Sequence, residues 1–476
     1  MPELVCLCQG KKMKIWEVDG QSLSMKKVSG GNDVHADRHS GGLPGDEKPM
    51  LPKLMHWLLF AVAAVFVVLG MSVDRLAGIS YHLLLLLAVV AIFVRGRRSL
   101  ASYVASWKTL WPLYLAVSGF TICLVLSQTM IGNGSLKDFN ISLRFQGFVV
   151  LCWAFSQMPQ RFFRWLGTAF ALATLVATVK TYWLTGGGVS REYVNFMPIL
   201  AYSELAAILG TLAVFSIKWD AGLPGRVRKV LMALKLLAGF GGIYCIYLYQ
   251  SRGAWLAIPI FVIVGCVVFL PGGNRLLKIG AAFLVMIAIA TMYSSSDNIR
   301  QRLMMVQSDL ASFESKADLN TSIGTRLQLW NGSLRLYREH PFIGVGVNGY
   351  SKALSKLAKE GVISPEAAIY PHSHNEFLFT AVIFGTCGVL ALLALYFVPV
   401  VFFFWYGTRQ SEACRVTAMM GLVLCLAFVS DGLVDVMFIW RECSLFYTVL
   451  LSLLVAALLR WRQPVSGYRA TAEAKP

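Results

Sequence analysis

The sequence predicts an all-α polytopic integral membrane protein with about twelve transmembrane helices and one large loop on the far side of the membrane. Three observations carry this expectation. The 476 residues are 57% hydrophobic and only 14% charged, with a mean hydropathy of +0.62. The apolar residues come in long blocks, where a transmembrane barrel would show short alternating strands. The basic residues fall on alternate connections between those blocks.

Residues 1–52 are polar and Gly-rich, with no apolar core ahead of a cleavage site, so they do not read as a signal peptide. They read as a disordered cytoplasmic tail, with Met13 and Met50 as alternative starts. The candidate spans are 55–72, 79–94, 109–127, 144–158, 162–184, 196–217, 230–249, 254–270, 275–293, 375–405, 414–431 and 443–460. The block 375–405 is long for one span, and Gly385 and Gly388 mark a kink or a break. The resulting organisation is a bundle of about nine helices over 53–293, an outer loop over 294–374, further spans over 375–462, and a cytoplasmic tail over 463–476.

The net charge of +18 would suggest nucleic acid in a soluble protein. Here it is explained by topology. With the N-terminus inside, the inner segments carry about 26 Lys and Arg, and every short inner loop has at least two. The short outer connections carry six: Arg75, Lys137, Arg144, Arg191, Arg252 and Arg441. Those six sit where the charge rule disfavours them, which makes each either a snorkelling side chain or a functional group. Of the 10 Cys, Cys123, Cys152, Cys245, Cys266, Cys387 and Cys425 lie in apolar blocks and behave as small hydrophobes. Cys6 and Cys8 have no partner His or second Cys pair, so neither a metal site nor a disulfide framework is indicated.

Within the outer loop, residues from Asp297 to about Ser315 alternate polar and apolar at helical spacing. A second helix follows, with Thr321 or Ser322 as N-cap and Leu327, Trp330, Leu334 and Tyr337 as an apolar stripe facing the membrane or the tops of the spans. Arg326 lies at the edge of that stripe. Pro341 ends the helix, and Gly344 and Gly346 permit a tight turn or a close backbone approach. The loop closes with His372, His374, Asn375 and Glu376 at the mouth of the next span. Histidines at i, i+2 do not share a helix face, and no further ligands are evident, so a metal is not expected. These residues read either as interfacial polar groups capping the helix or as a site in which a histidine is the general base. An unperturbed imidazole titrates near pH 6.5 and can accept a proton at neutral pH. The choice between His372 and His374 stays open, and Glu376 reads as a group that fixes the histidine's tautomer or caps the helix. Asp431, Asp435 and Arg441 read first as a local ion pair closing the last hairpin; the alternative is that they hold an acceptor or orient His374. Glu204, inside a span, could pair with an Arg or mark a proton path.

The run of spans, the outer loop with TRLQLW and HPFIGVGVNGY, and then HSHNEFL before a Gly-rich span resemble the O-antigen ligase and polymerase superfamily, best over about 185–405. The resemblance implies a membrane glycosyltransferase of GT-C type. Such an enzyme takes a glycan from undecaprenyl diphosphate at the periplasmic face of the bacterial inner membrane and joins it to an acceptor sugar. In the ligase branch the acceptor is lipid A–core. The reaction is inverting and metal-independent, with no cofactor. The histidine before Asn carries over to His374, and the family's outer-face arginines carry over to Arg326, Arg252 and, less specifically, Arg191. His372, Asn375, Glu376 and Asp435 are supporting candidates. Residue chemistry agrees with this: a diphosphate leaving group with about two negative charges, handled without metal, calls for bidentate arginines.

A ligase, a chain-extending polymerase and a protein O-oligosaccharyltransferase share donor and fold, so these residues do not separate them; the single dominant outer loop favours the ligase. A transporter is the alternative of a different class. It is disfavoured because no internal repeat is evident and charges cluster at span ends, with Lys180, Lys235 and Glu204 as exceptions.

Overall fold

A chain segment in lipid must close its own backbone hydrogen bonds. In the computed structural model, each of the twelve apolar blocks does so as a helix. The structure describes residues 52–462 except 95, 133–134, 191–193, 195, 252, 271, 273–274, 295–296, 316–317 and 408–410. It also describes a minimal antiparallel pair, Val18–Asp19 with Ser22–Leu23, in a separate N-terminal unit, Met1–Glu47. The disorder expected of residues 1–52 otherwise lies outside the described residues, as does the tail 463–476.

The bundle is built from α1 (Lys53–Leu69), α2 (Leu76–Val94), α3 (Arg97–Ile131), α4 (Phe139–Ser156), α5 (Gln160–Leu184), α6 (Ile199–Phe215), α7 (Gly225–Leu248), α8 (Ile258–Phe269) and α9 (Arg275–Ser294). The loop contributes α10 (Asp297–Glu314), α11 (Ser322–Glu339), α12 (Tyr350–Lys359) and the short α13 (Pro365–Ala368). The chain closes with α14 (Glu376–Gly407), α15 (Glu412–Gly432) and α16 (Arg441–Arg462). Among the described residues, nine helices are long and apolar enough to cross a membrane, while α1 and Gly253–Phe269 are apolar but shorter. Helices α1, α5, α6 and α7 each begin directly after a proline: Pro52, Pro159, Pro198 and Pro224. A proline ring clashes with any preceding helical turn, which fixes those starts. Helix α3 runs about three turns beyond its expected inner end, absorbing Arg97, Arg98 and Lys108, and stops at Gly132 in the left-handed conformation.

Helix α16 is the hub. Its span is 94% buried, against 44% for α2 and 33% for α7, and it packs on α2, α4, α5, α14 and α15. The outer helices instead expose large side chains such as Leu86, Phe93, Val230 and Phe240. On a water-soluble surface that area would drive association, but lipid solvates it.

Connections that the charge rule puts on one side meet one another. On one side, Asn348 Nδ2 donates to Asp138 Oδ2 at 3.0 Å, and Arg441 reaches Asp74 at 3.3 Å. On the other, Lys218 pairs with Glu412 at 3.1 Å and Gln160 Nε2 donates to the Arg460 carbonyl at 2.8 Å.

The long block 375–405 is broken, and the loop repairs the break. Gly385 has φ 62°, interrupting α14. In an unbroken helix the N–H groups of Thr386 and Cys387 would bond the carbonyls of Val382 and Ile383. Here Thr386 and Cys387 donate to the carbonyls of Pro341 and Phe342, at 2.7 and 3.3 Å. The carbonyls of Val382 and Ile383 accept from Val345 and Gly346, at 2.8 and 3.0 Å. The segment after Pro341 is thus spliced into the helix, satisfying four backbone groups that an apolar surrounding would otherwise strand. The approach is close enough to exclude side chains. A Cβ on Gly385 would lie 2.3 Å from the Phe342 carbonyl carbon, and one on Gly344 would lie 2.3 Å from the Val382 oxygen.

Helix α11 begins with the Thr321 hydroxyl accepting from the Gly324 N–H at 3.1 Å. The expected stripe meets α14 and the segment before it: Trp330 Nε1 donates to the Ser373 carbonyl at 3.1 Å, and the Tyr337 hydroxyl lies 2.9 Å from Thr386 Oγ1 on α14. The most buried face is a different one, Gln328, Leu329, Gly332, Ser333 and Leu336. It packs under α12 and the following turn, with Leu354, Leu357 and Ile363 against Gly332. A stripe of small and polar residues carries little hydrophobic signal, which is why the pattern pointed to one face of a helix that is covered on two.

Gly385→Ala is expected to destabilise the purified protein by about 3 kcal/mol or more, because the side chain meets backbone and the left-handed φ is lost together. Thermal unfolding in detergent measures it, with Gly280→Ala, which meets open space in α9, as a near-neutral control. An unchanged melting temperature for Gly385→Ala would show that the splice does not hold α14.

Candidate active site

The YPHSHNE segment is held from two sides before its histidines can do anything. Asn375 is the N-cap of α14: its Oδ1 accepts from the Leu378 N–H at 2.9 Å, and its Nδ2 donates to the Leu433 carbonyl at 3.0 Å. Glu376 is buried, and its Oε2 accepts from the Phe438 N–H at 3.0 Å. Together they bind the 433–440 hairpin to the start of α14. On the other side, α11 holds Ser373 through Trp330, and the Ser373 hydroxyl donates to the Asn375 carbonyl at 2.8 Å.

Between these supports, His374 adopts φ 51°, a conformation rare for a residue with a Cβ. Such an outlier costs on the order of 1 kcal/mol and persists where its surroundings over-determine it. Its Nδ1 lies 3.1 Å from Asp435 Oδ1, and His372 Nδ1 lies 3.7 Å from the same oxygen. The carboxylate is itself positioned: its Oδ1 accepts from the Val436 N–H at 2.9 Å, and the Asp435 N–H donates to the Asp431 carbonyl at 2.9 Å.

The two histidines are not equivalent. The backbone N–H of His374 donates to His372 Nδ1 at 3.3 Å, so that nitrogen carries a lone pair and the ring's proton sits on Nε2. Burial pushes the His372 imidazole down to about 4; Asp435 opposes this, and the charges of His374 and Arg326 add to the downward push. His372 is therefore neutral at pH 7 and acts as a fixed acceptor. For Asp435, burial alone would raise the carboxyl, but the hydrogen bond from His374 and the two imidazoles hold it below the usual carboxylate range. An ionised Asp435 fixes the proton of His374 on Nδ1 and leaves Nε2 as the basic nitrogen. The His374 side chain is 23% exposed against 6% for His372, so His374 is the one that solutes reach.

Arg326, half-buried on α11, is near enough for its charge to act on His372. Arg191 and Arg252 lie outside the described residues. Three of the six outer cations named above are held by identifiable partners. Arg441 bonds Glu442 at 2.7 Å and Asp74 at 3.3 Å, Arg75 sits 3.6 Å from Asp74, and Arg144 donates to Ser444 at 3.1 Å.

Three expectations are corrected. Asp431, Asp435 and Arg441 do not form a local ion pair: Arg441 turns to Asp74 and Glu442, and Asp435 turns to the histidines. Glu376 does not fix a histidine's tautomer, because its described oxygen contact is the hairpin backbone. The i, i+2 argument against shared ligation assumed a helix, whereas His372 and His374 stand in a turn with rings 4.5 Å apart. With Asp435 they place three metal-ligating atoms within 4.8 Å of one another. Sequence spacing gave no sign of that third ligand, 61 residues away. Glu204 is buried with Asp431 and Asp435 as the charges acting on it, and neither of its oxygens has a hydrogen-bond partner among the described residues.

Residues 236–393 match a family model described as O-antigen ligase, a stretch that includes α11, the splice and both histidines. Over that stretch, about a third of its length, the chain is similar to the O-antigen ligase family. It is similar to an uncharacterized protein of Haemophilus influenzae, 23% identical over 349 residues, covering 73% of this chain and 85% of that protein. It is also similar to an O-antigen ligase of Escherichia coli, 25% identical over 211 residues, covering 44% of this chain and 48% of that ligase. The chain thus spans about half the length of that ligase. The apolar helices make it a multi-pass membrane protein, and the matched stretch supports an enzyme of ligase type. Asp435 lies outside the matched stretch, on the hairpin between α15 and α16.

The lowered value of His372 fixes a sign for stability against pH. Below about pH 6.5 the unfolded chain takes up a proton at this position that the folded chain refuses until about pH 4. Its contribution is complete above about 6.5 and is lost as the pH falls toward 4, on the order of 3 kcal/mol in full. Melting temperatures in detergent across that window should fall more steeply for the wild type than for His372→Asn. Parallel curves would mean that the imidazole is not held neutral.

Proposed function

We propose that the enzyme transfers an O-antigen glycan from undecaprenyl diphosphate to the sugar of lipid A–core, at the periplasmic face of the bacterial inner membrane. The observation that carries this reading is the His374–Asp435 pair, 3.1 Å apart, at the partly exposed mouth of α14. Beside it stands an arginine-bearing helix.

The acceptor hydroxyl gives its proton to His374 Nε2 as its oxygen attacks the anomeric carbon. The bond from that carbon to the diphosphate oxygen breaks, and its electron pair leaves with undecaprenyl diphosphate. One displacement inverts the configuration. Asp435 stabilises the imidazolium that forms, the role of the aspartate in a Ser-His-Asp triad. Arg326, with Arg191 and Arg252 as further candidates, offsets the charge growing on the diphosphate, and a guanidinium fork suits two phosphate oxygens at once. Neither a metal nor another cofactor is needed for these steps.

The name of the Escherichia coli relative favours a ligase over a polymerase or a protein O-oligosaccharyltransferase, which would use the same donor and base. Deleting the gene and analysing the lipid-linked glycans separates them. Long polymer on undecaprenyl diphosphate with bare lipid A–core supports the ligase. A single repeat on core indicates a polymerase, and normal lipopolysaccharide with an unglycosylated protein indicates the third branch.

With purified protein, donor and acceptor, His374→Ala is expected to abolish transfer while the protein remains folded. Asp435→Asn should lower kcat by about 10²–10⁴-fold, as expected when a base loses its tautomer and orientation. Transfer by His374→Ala at the wild-type rate would remove it from the chemistry. Transfer should continue undiminished in EDTA; a loss that added Mg²⁺ or Mn²⁺ restores would overturn the metal-free mechanism.

A further inference from the structure

We propose that His372, His374 and Asp435 form a zinc site whose occupation switches the enzyme off. This rests on the reading of His374 as the base and adds a means of controlling it.

The geometry is that of half a tetrahedron already assembled. Zinc binds imidazole nitrogen and carboxylate oxygen at about 2.0–2.2 Å, so neighbouring ligand atoms of a tetrahedral site stand about 3.3–3.5 Å apart. His374 Nδ1 and His372 Nδ1 stand 3.1 and 3.7 Å from Asp435 Oδ1, on either side of that spacing. All three ligand atoms lie within 4.8 Å of one another. The rings are 75° apart, so their nitrogen lone pairs do not stack but can point to a common centre. His372 Nδ1 already acts as an acceptor, which is the state a metal requires. Two nitrogens and one oxygen are a donor set that suits zinc, while Mg²⁺ and Ca²⁺ prefer all-oxygen surroundings. The fourth position is left to water, and the partly exposed side of His374 is the way in.

Inhibition follows from the single proton on the neutral His374 ring. In the active form it sits on Nδ1, donated to Asp435, and Nε2 is basic. When zinc takes the Nδ1 lone pair, that proton must move to Nε2. Proton count and ring charge are unchanged, but Nε2 has become a donor and cannot accept the proton of a hydroxyl. Asp435 is drawn to the metal at the same time. The supports described above, Trp330 on Ser373 and Glu376 on Phe438, hold the three ligands close together without metal; binding displaces two contacts, the His374 N–H on His372 Nδ1 and the His374 Nδ1–H on Asp435.

The test uses full-length protein in detergent or nanodiscs, with binding measured separately from transfer. Titration with Co²⁺ as a spectroscopic probe should give the visible bands of a four-coordinate N/O site at one equivalent, displaced by Zn²⁺. His372→Asn and Asp435→Asn should weaken Zn²⁺ binding by at least roughly tenfold, with melting curves confirming that each variant is folded. For the wild type, buffered free Zn²⁺ should inhibit transfer at the concentration that fills the site. EDTA should reverse this, and Mg²⁺ at a thousandfold higher concentration should not reproduce it. No Co²⁺ bands, or binding that both substitutions leave intact, would sink the site. Filling without loss of transfer would sink the switch. Activity retained by His374→Ala would instead overturn the base assignment and leave the binding result standing.

Discussion

The molecule depends on an interrupted helix whose lost hydrogen bonds are supplied by a loop. A break in α14 at Gly385 would be costly on its own, because the carbonyls of Val382 and Ile383 and the amides of Thr386 and Cys387 would face apolar surroundings. The backbone of 341–346 fills all four places. The loop is thereby clamped to the transmembrane bundle at a defined register. Helix α11, which ends just before this segment, inherits its position from it, and Trp330 on α11 then reaches the Ser373 carbonyl. A backbone constraint in a span thus becomes, within two helical elements, the placement of a pair of imidazoles.

The site therefore draws on three regions of the chain: α11, the 370–376 segment and the α15–α16 hairpin. None could form it alone. His374 sits at a φ that costs energy, and what compensates is the set of contacts on its neighbours: Asn375 on Leu433, Glu376 on Phe438, and Trp330 on Ser373. Such a residue is poised by its surroundings and not by its own preference. Asp435 receives backbone support as well, so both ends of the 3.1 Å contact are fixed before a substrate arrives.

Much of this was legible in the sequence, and the boundary of legibility has physical causes. Twelve apolar blocks predict twelve helices because lipid leaves the backbone no alternative. Gly344 and Gly346 stood out as positions for a tight turn or close approach, and Gly385 as a kink or break; at Gly344 and Gly385 a Cβ would lie 2.3 Å from a neighbouring backbone. That they approach one another was not legible: a backbone-to-backbone splice leaves no side-chain pattern. The histidines were found because titratable groups at a span mouth are uncommon. Asp435 read first as a partner of Arg441, the nearest opposite charge in sequence, with the orienting of His374 as the alternative; in space Arg441 is claimed by Glu442 and Asp74, and Asp435 meets His374. The buried face of α11 was missed because Gly332, Ser333 and Gln328 are not residues that hydrophobicity marks as core.

The distribution of charge explains why such a site would need several arginines. Behind the imidazoles lie Asp435, Asp431, Glu376 and Glu204, all buried. Glu204 and one oxygen of Asp431 have no hydrogen-bond partner among the described residues. Asp435, on the hairpin, is held below the usual carboxylate range, and its charge repels a diphosphate. A diphosphate-bearing donor beside His374 would meet that carboxylate unless a cation offset it. Arg326, on the loop side of the histidines, is one such cation, and its own effect on His372 is to favour the neutral ring. The same guanidinium that would offset a donor's charge thus adds to the burial that keeps His372 a neutral acceptor, while Asp435 orients the His374 ring. The two imidazoles, two residues apart in the chain and both against one carboxylate, differ chiefly in burial: His372 is enclosed and held neutral, while His374 stays partly exposed.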